Sequence, residues 1–114
     1  MIIGAHSILY SRDPEPLRAF LRDVLELESV DAGGGWLIFA LPPGEVAVHP
    51  GDAPRCELYL MCDDIDATMA DLRAKDVTLS DVTTERWGKV TYIDLPGGGQ
   101  LGLYQPTHPT AIRR

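Results

Sequence analysis

The feature that most constrains this chain is that it says nearly the same thing twice. HSILYSRDPEPLRAFLRDVLEL, from His6, is echoed by ELYLMCDDIDATMADLRAKDVTL, from Glu57, and each copy runs on into strand-like text, ending in LPPGEVAVHP and LPGGGQLGLYQP. Leu9 matches Leu60, Asp13 matches Asp64, Ala19 matches Ala70, Leu21 matches Leu72 and Arg22 matches Arg73. Two copies are too few for a solenoid. At 114 residues the chain can enclose one core but not two independent ones, so the copies are expected to form a single unit, with modules over about 2–50 and 56–106 and a flexible tail over 107–114. A body built from two related halves has a seam, and seams favour small-molecule sites.

Charge and composition exclude several functions. The formal net charge is −7 and the ten basic residues are scattered, which argues against nucleic acid, since phosphate affinity needs clustered Lys and Arg. No segment has the roughly 20 apolar residues needed to cross a bilayer, and MIIGAHSIL has no basic leader, so no membrane partner and a cytoplasmic location are expected. Cys56 and Cys62 fall in one expected strand, too far apart to form a mutual disulfide, as suits a reducing compartment.

Each half reads as strand, helix, strand, strand, strand. The opening strands are expected over 2–10 and 56–62. Asp13 and Asp64 are candidate helix caps, and Pro14 or Pro16 suits a first helical turn. Helices follow over about 15–25 and 65–75, with Leu17, Phe20, Leu21, Val24 and Leu25 forming one apolar stripe and Ile65, Met69, Leu72 and Val77 the other. Further strands are expected over 28–30, 36–41 and 45–49, then over 78–82, 89–95 and 100–104. The glycine runs 33–35 and 97–99, like Pro42-Pro43-Gly44, read as turns; no helix opens behind them to make a phosphate loop.

Strand side chains alternate between faces. Val46 and Val48, Leu58 and Leu60, and Leu101 and Leu103 form an apolar set that should lie beneath the helices. The opposite set lines the expected cleft: Tyr59 and Tyr104 offer stacking surface, His6, Glu57, Gln100 and His49 offer polar anchors, and Ala47 and Gly102 leave room. Trp36 and Trp87 either cap that cleft or belong to the core. Cys56 and Cys62 read as core thiols, and His108, in the tail, has no assigned role.

The doubled unit, with His6 on the first strand, RAFLRDVLELESV, CDDIDATMADLRAKDV and LPGGGQLGLYQP, resembles the vicinal oxygen chelate superfamily of glyoxalase I, bleomycin-resistance proteins and extradiol dioxygenases. The likeness runs from about His6 to Pro106. It implies an α+β fold of two βαβββ modules, with curled mixed sheets forming a cleft, helices on the outer face, and commonly a homodimer. In metal-using members the first and last strands of each module carry the ligands. Those positions here hold His6 and Glu57, which can ligate, and Ala47 and Gly102, which cannot.

Lewis-acid chemistry usually requires three or more protein ligands. A slipped register could add His49 to His6 and Glu57, a set suited to iron. Without it, His6 and Glu57 form either an acid–base couple or an inert internal pair, on the premise that Glu57 is buried on an inward face. The resulting expectation is a cofactor-free small-molecule binder for an apolar or cationic guest, contacted by Tyr59, Tyr104, Gln100, Trp36 and Trp87. The alternatives are a lyase, isomerase or dioxygenase using a divalent metal, and a metal-free enzyme with Glu57 as base.

Overall fold

The structure is a computed structural model and describes residues 7, 9, 11–35, 37–44, 52 and 57–109. His6, Trp36, Ala47, His49 and Cys56, with the strand expected over 45–49 and all of that over 2–10 except Ser7 and Leu9, lie outside the described residues.

The first helix, α1, spans Pro14–Ala19, with proline in its first turn, and continues as a π-helical stretch over Phe20–Val24. The second, α2, spans Ile65–Ala74. Asp64 caps α2 by accepting from the Ala67 N–H at 3.1 Å. Asp13 holds the same place before α1 but makes no side-chain capping bond. Both helices end on an acidic residue in the left-handed region, Glu26 at φ 58° and Asp76 at φ 62°. The next residue's N–H then returns to a leucine carbonyl, Leu27 to Leu21 and Val77 to Leu72, both at 3.1 Å. Leu21 and Leu72 are matched positions of the two copies, yet one residue more separates Leu21 from Glu26 than Leu72 from Asp76. The wider π turn absorbs that extra residue.

Strands β1 (Ser29–Asp31) and β2 (Leu37–Phe39) form an antiparallel pair. A second, mixed sheet has the order β3-β6-β5-β4, formed by Tyr59–Met61, Gln100–Pro106, Gly88–Asp94 and Thr83–Glu85. β3 runs parallel to β6, and the other pairs are antiparallel. Thus β3 and β4 point the same way at opposite edges, and α2 is the crossover joining them.

One local expectation shifts. The strand expected over 78–82 contributes a single bridge, Leu79 to Ile93, and regular pairing resumes only at Thr83. The cause lies at Ser80, whose hydroxyl takes the Tyr92 N–H at 2.9 Å and meets Thr91 Oγ1 at 3.2 Å, replacing a backbone partner in the ladder. Residues 83–87, between the two expected strands, are consequently β4 and a tight turn over Arg86-Trp87.

The core lies between α2 and one face of the mixed sheet. Phe20, Leu72, Val77, Ile93, Leu101 and Leu103 form its buried centre, with Leu21, Leu58, Leu60, Cys62 and Leu79 packed against it. Leu17, Ile65 and Met69 are buried as well, so both helical stripes point inward as their spacing predicts. Gln105 ties α2 to β6 by accepting the Ile65 N–H at 3.0 Å. Among the described residues no helix is long and apolar enough to cross a membrane.

Candidate ligand-binding face

With Leu101, Leu103 and Ile93 committed to the core, pleating turns the alternate residues of β3, β5 and β6 to the opposite face. Tyr59, Gly102 and Tyr92 form one row across the three strands, and Met61, Tyr104 and Val90 form the next. Gly102 decides what happens in its row. A Cβ there would stand 2.1 Å from the Tyr59 ring, so only glycine lets that ring lie across the central strand. Tyr59 thereby reaches over Gly102 to Tyr92, with their hydroxyls 3.2 Å apart. The space that the sequence left open at Gly102 is filled by this ring.

Four rings close into a cluster. Tyr59 meets Trp87 at 5.8 Å and Tyr104 at 5.9 Å edge to face and Tyr92 at 6.2 Å with tilted rings, and Trp87 meets Tyr104 edge to face at 5.3 Å. These distances and tilts suit the aromatic quadrupole. Tyr104 is buried, whereas Tyr59, Trp87 and Tyr92 are half-buried and keep surface towards solvent. Trp87 is held in place by the chain that follows β6: Thr107 donates its N–H to the Trp87 carbonyl and its hydroxyl to the Arg86 carbonyl. His108 then stacks on Tyr104 at 5.9 Å. The Pro109 carbonyl can only accept, so His108 Nδ1 donates to it at 2.7 Å, and in the neutral ring Nε2 accepts from the Tyr104 hydroxyl at 3.1 Å.

The polar edge of the cluster is a directed chain. Tyr59 donates to the Glu57 carboxylate at 3.0 Å, which leaves its oxygen to accept from Tyr92. The hydrogen bond with Tyr92, burial and the neighbouring Glu57 push the Tyr59 hydroxyl well above the usual tyrosine range. The phenol therefore stays neutral, and Glu57 supplies the negative charge. Glu57 is exposed at the rim, which corrects the expectation of an inward, buried carboxylate. Gln100 stands apart at the end of β6, donating its amide to Asp94 at 3.0 Å.

No protein-family model matches the sequence, and no curated protein does. Solved structures match over nearly the whole chain. An antibiotic binding protein from a Streptomyces species is similar at 26% identity and TM-score 0.66, covering 94% of this chain and 99% of that one. A lactoylglutathione lyase from Agrobacterium tumefaciens has 19% identity and TM-score 0.68, with coverages of 90% and 92%. The fosfomycin resistance protein of Listeria monocytogenes has 17% identity and TM-score 0.61, with coverages of 94% and 96%. The chain has the vicinal oxygen chelate fold.

Within that fold, the residues described here do not fit a resident metal ion. Of the four strand positions implied as ligands, Glu57 and Gly102 are described; the second has no donor, and the Tyr59 ring covers it. His6 and His49, the other proposed ligands, lie outside the described residues, and among those described no three His, Cys, Asp or Glu side chains converge. Cys62 packs on the helix side, near the Tyr104 carbonyl at 3.4 Å, and burial pushes its thiol up.

The structure thus brings together Glu57, Tyr59, Tyr104 and Trp87 from the sequence-based set. It adds Tyr92 and His108. Tyr92 carried a readable signal, since its strand alternates in step with Tyr104 once the register is known. His108 carried none, because its place depends on how residues after β6 fold back on the hairpin.

Proposed function

We propose that this chain is a glyoxalase/bleomycin-resistance-like small-molecule-binding protein that works without a metal, holding an apolar or cationic guest against the aromatic face. The observation that carries this reading is the Tyr59 ring seated on Gly102, which puts an aromatic surface at a position where a metal-using relative would carry a ligand. The four rings fill the space between one another, so a guest lies over their outward surfaces and not inside a cage. Tyr59, kept neutral, and Tyr92 present π faces, and Glu57 favours positive charge at the rim. On the sequence, Trp36 is a further guest contact and His6 a polar anchor, and two chains pair as a homodimer in the cytoplasm. Similarity to an antibiotic binding protein and to a fosfomycin resistance protein supports a drug-like guest.

Titration with a planar aromatic cation such as ethidium tests this. Quenching of tryptophan emission that weakens at least tenfold in Trp87→Phe and Tyr92→Ala, in protein free of bound metal by elemental analysis, supports the binder. Stoichiometric nickel, zinc, manganese or iron(II), lost in His6→Ala and Glu57→Ala, would instead establish the metal-dependent enzyme.

A further inference from the structure

A cavity lies on the other side of the mixed sheet from the aromatic rings. It occupies about 210 Å³ between the end of the π-helical stretch, the following turn and α2. Leu25, Leu27, Leu60, Leu72 and Leu103 make the aliphatic part of its wall, beside Cys62 and Thr68. An apolar cavity of about 150 Å³ stays dry and admits a benzene ring, so the larger space here holds a ring with a short chain. The mouth is charged. Lys75 donates to the Val24 carbonyl at 3.2 Å and stands 3.5 Å from both Glu26 and Asp71. Among the described residues these two carboxylates share one ammonium, which leaves net negative charge at the rim beside an apolar floor.

We propose that this helix-side cavity is a second binding site, for small primary amines carrying an aryl or short alkyl body. The body lies against the leucines, and the ammonium joins Asp71 and Glu26 at the mouth, where it supplies the positive charge that Lys75 alone does not. A carboxylate of the same shape meets the two acids and is rejected. The proposal is independent of the function assigned to the aromatic face, because Leu60 and Leu103 turn away from Tyr59 and Tyr104.

Methyl-resolved NMR with phenethylamine and phenylacetate tests it in the full chain. The expected result is saturable shifts of the Leu25, Leu27 and Leu72 methyls with the amine and none with the acid. Asp71→Asn should weaken the amine roughly threefold, the scale of an exposed charge pair. Leu27→Trp should abolish binding by filling the cavity; if that variant does not fold, Thr68→Phe, from the half-exposed side of α2, serves the same purpose. Tyr59→Ala should leave these shifts unchanged. Shifts confined to the aromatic face, an equal response to amine and acid, or amine shifts that persist in a folded, filled variant would each overturn the proposal.

Discussion

The two faces of the four-stranded sheet are made by the same strands and differ at every alternate residue. On the helix side Leu58, Leu60, Ile93, Leu101 and Leu103 present aliphatic carbon, and Ile93 has no exposed surface at all. On the other side Tyr59, Tyr92 and Trp87 present rings that stay partly open to solvent around the buried Tyr104, and the three tyrosines hydrogen-bond through their hydroxyls. One face is organised to exclude water and the other to meet it. A single pleat thus carries a closed aliphatic face and an open aromatic one, with Gly102 on one side flanked by Leu101 and Leu103 on the other.

If the faces divide their duties in this way, the largest loss of stability should come from the aliphatic side. Ile93→Ala should cost about 3 kcal/mol in chemical denaturation, as for other buried large-to-small changes, and leave guest binding on the folded fraction intact. Gly102→Glu should cost about 2 kcal/mol through overpacking against Tyr59, and a double-mutant cycle with Tyr59→Ala should recover much of it. Tyr59→Phe should cost about 1.5 kcal/mol, since it removes the donor to Glu57 and the partner of Tyr92.

That last variant also carries a pH signature. The Tyr59 proton is held more tightly in the folded chain than in the unfolded one. Its contribution is thus fully present below the ordinary tyrosine range, about pH 10, and is lost as the pH rises through the folded value. Phenolate absorbance in wild type should lag behind that of free tyrosine, and the alkaline loss of stability should shrink in Tyr59→Phe. The smallest effect compares the halves in place of the faces. Asp64→Ala should cost about 1 kcal/mol as a lost helix cap, while Asp13→Ala, which removes no capping bond, should stay within about 0.5 kcal/mol in thermal melts.

Much of this architecture was legible in the residues. The helical stripes, the order of strands and helices and the sorting of Leu101 and Leu103 from Gly102 and Tyr104 follow from period and alternation, and the α+β class from the family resemblance. What escaped was whatever depended on contacts between distant segments. Gly102 read as empty room because a sequence shows the missing side chain but not the neighbouring strand's ring that takes its place. Glu57 read as buried because alternation gives a face without giving depth. The Ser80 hydroxyl displaced the expected strand through bonds to Thr91 and Tyr92, eleven and twelve residues away. The π turn answers a one-residue difference between the copies, visible only once both helix ends are located.

The most direct test of the central claim is to map where a planar aromatic cation contacts the chain, by NMR of the tyrosine and tryptophan rings during a titration with ethidium. The account predicts saturable shifts at Tyr59, Tyr92 and Trp87, together with loss of binding in Tyr92→Ala under metal-free conditions. Unshifted rings with binding elsewhere, or binding that requires an added divalent ion, would contradict it.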